Sequence, residues 1–277
     1  MSEHVLEVRD LHVANTLTGA AVVRGVDFSV RRGQVLGIVG ESGSGKTVTI
    51  RALLGVLPEP LAITGGTISL LGRTTDTFGS QDWTDTRGSV LSAVFQDPGS
   101  YLNPSIRLGK QVAEPLRVKT GMSRAEAKAE TIRLFEAVNL RDPELVFGQY
   151  SHELSGGMLQ RVMIAAAISL GPEILIADEA TTALDVTVQA EILDLLADLQ
   201  RSEGLSLVVI SHDLTVVAQL CDEVAVMREG EIVERGPADV VLHDPQHEYT
   251  QLLVSEHQRY GLDHFINIHT PQEVTRV

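Results

Sequence analysis

Gly40-Glu41-Ser42-Gly43-Ser44-Gly45-Lys46-Thr47 fits the pattern G-x-x-x-x-G-K-[ST] of a phosphate-binding loop. An apolar run, Val35-Leu36-Gly37-Ile38-Val39, precedes it and reads as a strand; the stretch Val48 to Leu57 that follows is compatible with a helix. That strand–loop–helix order separates a phosphate loop from a Gly/Ser-rich surface loop. Glycines let the backbone wrap closely around a phosphate, the loop amides point inward, and the helix start adds partial positive charge. In such a loop Lys46 reaches the β- and γ-phosphates and Thr47 places its hydroxyl on Mg²⁺. The expectation is a site for a nucleoside triphosphate built from Gly40, Ser42, Gly43, Ser44, Gly45, Lys46 and Thr47.

Composition sets the frame. The 277 residues suffice for one large domain or two modest ones, and 43% apolar content with alternating strand and helix patterns argues an α/β fold. A net charge of −15 argues against nucleic acid as a partner. The single cysteine, Cys221, rules out an intrachain disulfide and fits a reducing compartment. The start, Met1-Ser2-Glu3-His4, does not read as a signal peptide, and no run approaches the roughly 18 apolar residues of a membrane span. A soluble or peripheral protein is expected, whose membrane partners are other chains.

Strands are expected at Val5 to Val13 and Val26 to Arg31, with a turn near Thr18-Gly19, and at Thr67 to Leu71 after a turn at Gly65-Gly66. Ser89 to Phe95 is a further run of strand length. Beyond Gln96 the pattern turns helical: Leu108 to Val118, then a helix from Ser123, which forms a capping box with Glu126 and continues through Ile132, Phe135 and Val138. Alternation resumes at Glu173 to Ala177, followed by a helix with Val188, Ile192, Leu195, Leu196 and Leu199 on one face, and strands at Leu205 to Ile210 and Val224 to Met227. A helical insert, about Gly99 to Leu170, thus interrupts an α/β core.

The run Ile174 to Ala177 ends in Asp178-Glu179. Carboxylates at a strand's C-terminal end lie beside the phosphate loop in such folds, where Asp178 serves the Mg²⁺ shell and Glu179 polarises the attacking water. Leu154-Ser155-Gly156-Gly157-Met158-Leu159-Gln160-Arg161 precedes a helix-like run, Val162 to Leu170, and places a serine and two glycines at a helix start, a second anion-binding arrangement.

With that segment the chain resembles the ATP-binding-cassette (ABC) ATPases. Phosphate loop, Gln96 as Q-loop glutamine, Ser155-Gly156-Gly157 as signature, the acidic strand end, Ala183-Leu184-Asp185 as D-loop and His212 as switch histidine stand in family order, over about Leu6 to Val241. The resemblance implies an α/β P-loop NTPase core with a mixed sheet flanked by helices, an antiparallel β subdomain and an inserted α-helical subdomain. In those terms the core is residues 1–98 and 171–240, the signature subdomain 99–170 and the helical tail 241–277. It implies ATP and Mg²⁺, with Thr47, Gln96 and Asp178 on the metal and Glu179, His212, Lys46 and Gln96 in catalysis. Two cassettes pair head to tail, so that Ser155, Gly156, Gly157 and Asp185 serve the partner's nucleotide. Gln96 joins the site to the face that grips the membrane subunits.

A narrower resemblance is to the peptide/nickel importer branch. It rests on Phe95-Gln96-Asp97-Pro98, Leu102-Asn103-Pro104 and Asp185 to Ala190. Leu159, where peptide importers usually carry arginine, and the tail from Leu253 through Tyr260-Gly261-Leu262 are most similar to the nickel-uptake ATPase. It implies permease subunits, a second ATP-binding subunit that is a paralogue, a solute-binding protein, and a peripheral location on the cytoplasmic face of the plasma membrane. The alternative class is a soluble ABC ATPase of a multi-enzyme complex such as carbon–phosphorus lyase. Two departures stand out: Ala180 replaces the usual proline after the acidic pair, and the aromatic that the family often stacks on adenine is missing between Leu6 and Val23, where His12 is the only ring, so weak adenine stacking is expected. His243, His247, His257, His264 and His269 in the tail match no standard metal spacing.

Overall fold

A computed structural model of the chain describes residues 4–180 and 185–259. In chain order the strands and helices begin with β1 (His4–Asn15), β2 (Ala21–Arg31), β3 (Val35–Val39), α1 (Lys46–Leu53), β4 (Leu61–Leu70), β5 (Arg73–Thr74), α2 (Ser80–Thr86) and β6 (Leu91–Val94). Five helices follow: α3 (Pro98–Tyr101), α4 (Leu108–Thr120), α5 (Arg124–Ala137), α6 (Pro143–Gly148) and α7 (Gly156–Ile168). The chain then forms β7 (Ile174–Asp178), α8 (Val186–Glu203), β8 (Ser206–Ser211), α9 (Leu214–Leu220), β9 (Glu223–Arg228), β10 (Glu231–Pro237), α10 (Ala238–His243) and α11 (Glu248–Arg259).

Two sheets result. A four-stranded antiparallel sheet has the order β2-β1-β4-β5, and a six-stranded sheet the order β10-β9-β3-β8-β7-β6. In the second, β9, β3, β8, β7 and β6 are parallel and β10 pairs antiparallel with β9 at the edge. Every residue of β3, β7 and β8 is buried, as continuous apolar runs covered on both faces require. Because these strands are parallel, the segments that leave β3, β6, β7 and β8 emerge at one edge, where open α/β sheets bind their ligands. The fold is thus the one that the resemblance implies: mixed sheet, antiparallel sheet and a run of helices between β6 and β7.

Those helices share a core with the sheet. Leu108, Val112, Leu116 and Phe135 pack with Val162 and Ile164 of α7 and with Leu175 of β7. The capping box forms: Ser123 Oγ accepts from Glu126 N at 3.3 Å, and Glu126 Oε2 accepts from Ser123 N at 2.8 Å. The apolar face of α8 is buried at Ile192, Leu195, Leu196 and Leu199, with Val188 half-buried at its first turn. α10 and α11 cover β3 and β9 through Val241, Leu242, Tyr249 and Leu253. Among the described residues no helix is long and apolar enough to cross a membrane.

Several expectations shift. Gly65-Gly66 is no turn but lies inside β4, where the Cβ position of Gly66 falls 2.1 Å from the Asp10 carbonyl; glycine there lets β4 close on β1 across a register shift. α1 ends at Leu53 instead of running to Leu57, because Gly55 turns left-handed (φ +64°) and the Trp83 ring fills the space its side chain would need. α7 begins at Gly156, so Gly156 and Gly157 both lie in its first turn, ahead of the expected Val162. The polar α2 and β10 carry no apolar period by which to be read.

Candidate functional site

The phosphate loop is wedged against the turn of the β9–β10 hairpin. Gly40 is buried at φ +148°, with its Cβ position 2.1 Å from the Met227 carbonyl, so that no larger residue fits. Ser44 O accepts from Gly230 N at 2.9 Å. Ser42 and Gly43 face solvent. Lys46 opens α1 and is buried (5% exposed). Its Nζ donates to Gly40 O at 2.6 Å, Glu41 O at 2.8 Å and Ser44 Oγ at 3.4 Å, so the ammonium lies within the loop's concavity. Burial pulls its pKa below the ordinary lysine range, against the opposing pull of the Glu179, Asp178 and Glu41 carboxylates. Thr47, next on the helix, is exposed.

β7 delivers the acids beside this lysine. Asp178 is buried at the strand end, and burial, reinforced by the Glu179 charge, pushes its carboxyl above the ordinary range, with Arg51 and Lys46 pulling it down. A carboxylate held charged there asks for a cation. Glu179 adopts φ +49°, a left-handed conformation that costs a non-glycine residue about 1 kcal/mol or more, and its N–H donates to Ile210 O at 3.0 Å. The turn brings its Oε1 to 3.5 Å from Nδ1 of His212, just past β8. Lys46, Asp178, Glu179 and His212, far apart in the chain, are thereby gathered at one edge of the sheet.

Gln96 stands two residues beyond Val94, which pairs with Ala177, so it occupies the same edge and faces solvent. Asp97 caps α3 through Gly99 N at 3.0 Å, and Phe95 stacks on Tyr101 at 4.8 Å, tying this turn to the start of the helical segment. Ser155, Gly156, Gly157 and Asp185 form a separate group. Ser155 caps α7 by accepting from Met158 N at 3.4 Å, and Asp185 caps α8 by accepting from Val188 N at 3.0 Å. Among the described residues none of these four hydrogen-bonds to Lys46, Asp178, Glu179 or His212. Gly157 packs on α8, its Cβ position 2.6 Å from Val188 Cγ1. Ala183 and Leu184 lie outside the described residues.

His12 bonds Asp10 Oδ1 through Nε2 at 2.9 Å and lies against Gly25 and Gly65. The tail imidazoles are used locally: Nδ1 of His243 meets Asp239 O at 2.7 Å, that of His257 meets Leu253 O at 3.0 Å, and that of His247 accepts from Tyr249 N at 3.1 Å. Among the described residues no three potential metal ligands of this kind cluster. His264 and His269, with Tyr260-Gly261-Leu262, lie outside the described residues. A contact absent from the sequence reading is that of Tyr249, whose hydroxyl accepts from Glu41 N at 3.1 Å; nothing in local pattern joins residues so far apart.

The model of the family described as ABC transporter matches residues 23–182, more than half of the chain, from β2 through the acidic strand end. The chain belongs to the ABC transporter family. As a cassette of that family it binds and hydrolyses ATP. It is 46% identical to the dipeptide transport ATP-binding protein of Lactococcus lactis subsp. cremoris, over 90% of this chain and 72% of that protein. It is 44% identical to the oligopeptide transport ATP-binding protein of Bacillus subtilis, over 89% and 70%. It is 38% identical to a metal–staphylopine import system ATP-binding protein of Staphylococcus aureus, over 95% and 97%. Among solved structures, a cassette from Clostridium perfringens that is part of an ABC transporter complex superposes with a TM-score of 0.78 at 26% identity, covering 96% of this chain and all of that one. A dimeric cassette bound to ADP and Pi shares the fold, with a TM-score of 0.74 at 24% identity over 84% of this chain and 98% of its own.

Proposed function

We propose that this ABC cassette powers an importer for short peptides, through the site in which Glu179 and His212 meet 3.5 Å apart beside Lys46. That convergence carries the reading. Lys46 keeps one N–H on the Gly40 carbonyl and turns the others to the β- and γ-oxygens of ATP, and the loop amides bind the remaining charge. Glu179 polarises the water that attacks the γ-phosphate in line, and His212 bonds the γ-phosphate and positions Glu179. Asp178, Thr47 and Gln96 are oxygen donors at one edge, and the disfavoured charge on buried Asp178 suits a hard divalent ion. Mg²⁺ held there would neutralise phosphate charge as it develops.

Ser155, Gly156, Gly157 and Asp185 serve the nucleotide of a second cassette, a paralogue, so the competent ATPase is a pair. In this reading the core is residues 1–98 and 171–240, the signature subdomain 99–170 and the tail 241–277. ATP closes the pair, product release opens it, and the Gln96 turn transmits the movement to two permease subunits at the cytoplasmic face of the membrane. A solute-binding protein supplies the cargo. The peptide assignment follows the two peptide-transport relatives. A second solute, nickel or another metal carried as a chelate, is favoured by the metal–staphylopine relative and by Leu159. Leu159 lies half-buried in α7 against the core, and we assign the choice of solute to the binding protein and the permease.

The test is Glu179→Gln in the assembled transporter. Hydrolysis falls at least about 100-fold while ATP binding persists, because only water activation is removed. Turnover within a few-fold of wild type would refute the site. Deleting the gene then separates the solutes: loss of growth on di- and oligopeptides supports peptide import, and loss of nickel accumulation with peptide growth intact supports the chelate.

A further inference from the structure

The peptide group between Gly40 and Glu41 is gripped at both ends. Its carbonyl oxygen, on Gly40, accepts from Lys46 Nζ at 2.6 Å; its N–H, on Glu41, donates to the Tyr249 hydroxyl at 3.1 Å. The Ser44 amide stays within the loop, donating to the Glu41 carbonyl at 3.2 Å. The Glu41 amide points outward to α11, and the tyrosine is its partner.

Tyr249 is itself held firmly. It is 4% exposed, and the Arg228 guanidinium lies over its ring at 4.8 Å. The start of α11 is tied to β10 by Glu234, whose carboxylate accepts from Gln246 N at 2.8 Å and His247 N at 3.0 Å. Leu253, one turn on, anchors the helix in the same apolar cluster as Tyr249, Val39 and Val226. The donor thus lies just past the end of β3 and the acceptor on α11.

A peptide plane is stiff, so fixing the direction of its N–H fixes the opposite direction of its C=O. The residue that could let this plane rotate is Gly40, with φ +148° and the broad freedom of a glycine. We propose that Tyr249 is a positioning residue for ATP: by holding the Gly40–Glu41 peptide it aims the nearer of the two carbonyls that hold Lys46, and so tunes the affinity for the triphosphate. The inference rests on the ATP-binding reading of the loop and adds a determinant from the C-terminal helix to it.

An open cavity of about 200 Å³, lined by Glu41, Ser42, Arg228, Tyr249 and Leu252 among others, adjoins the bond. Water entering there can satisfy the Glu41 amide when the hydroxyl is removed, so Tyr249→Phe keeps its fold. Leu253→Ala is the control, thinning the same packing without touching the bond. The full chain is titrated with ATP by calorimetry, its unfolding midpoint is measured without nucleotide, and hydrogen exchange is followed in residues 40–44. Tyr249→Phe weakens ATP binding roughly 3- to 10-fold, the worth of one neutral hydrogen bond, with faster loop exchange and a near-normal midpoint. In the assembled transporter its KM for ATP rises while kcat at saturation stays within about two-fold. Leu253→Ala lowers the midpoint and leaves ATP affinity unchanged. Equal ATP affinity in Tyr249→Phe and wild type overturns the inference, as does a loss of affinity in both variants that tracks their loss of stability. A wild-type chain that binds no ATP overturns the reading beneath it instead.

Discussion

A single methyl group at position 157 tests how the signature segment is seated. The Cβ of Gly157→Ala would stand 2.6 Å from Val188 Cγ1, against an optimum of about 3.5–4.0 Å for two carbons, an overlap of about 1 Å. Val188 sits in the first turn of α8, where a β-branched side chain has one strongly preferred rotamer, so relief requires the starts of α7 and α8 to part. Overpacking of this kind costs about 1–3 kcal/mol, offset by about 0.5–1 kcal/mol from alanine's better helix propensity. The net spans about 0–2.5 kcal/mol and centres on about 1 kcal/mol, a fall in Tm of about 2–4 °C. Val188→Ala removes the offending methyls, so the double variant recovers most of the loss, giving a coupling of about 1 kcal/mol in a four-chain thermal-unfolding cycle. Because Ser155 caps α7 and Asp185 caps α8, the same displacement separates two groups proposed to face the partner's nucleotide. ATPase of the assembled pair therefore falls with Gly157→Ala and returns with the double variant. A coupling below about 0.3 kcal/mol, within the scatter of independent sites, would refute the steric account.

Asp178→Asn abolishes turnover, yet it raises the Tm of the nucleotide-free chain by about 2–4 °C, on the order of 1 kcal/mol, by removing a buried charge. The sign follows from the raised carboxyl pKa: the destabilisation by Asp178 is complete above its folded pKa and disappears below the unfolded value of about 3.9. The gap between variant and wild type therefore narrows as pH drops from 7, as parallel melts will reveal. Lys46→Ala weakens ATP binding by at least about 10-fold in calorimetry, since a charge-assisted contact to phosphate is lost; unchanged affinity would contradict the phosphate-loop role. Ser155→Arg leaves ATP binding by the isolated chain intact but silences the assembled pair, and loss of binding in the isolated chain would argue against a signature that acts across an interface.

Much of this architecture was written locally. A glycine-rich loop between an apolar strand and a helix, the acids closing Ile174 to Ala177, and a serine three residues ahead of Glu126 are short-range patterns whose chemistry survives removal from the fold. The buried parallel strands were legible as continuous apolar runs, and the order of motifs from Gly40 to His212 named the family, which the match over residues 23–182 bears out. Tertiary structure alone decided what no window of residues contains. Pairing of β3 with β8 and of β8 with β7 brings His212 to Glu179, and the left-handed turn at Glu179 aims the carboxylate. Gly66 reads as a turn former until the Asp10 carbonyl occupies the place of its side chain. Gly157 looks like loop chemistry until Val188 closes on it, and Tyr249 looks like an ordinary helical tyrosine until it meets the amide of Glu41. Backbone preference and apolar period act over a few residues and can be read from the chain; contacts between distant segments depend on sheet order and packing, which only the folded molecule specifies.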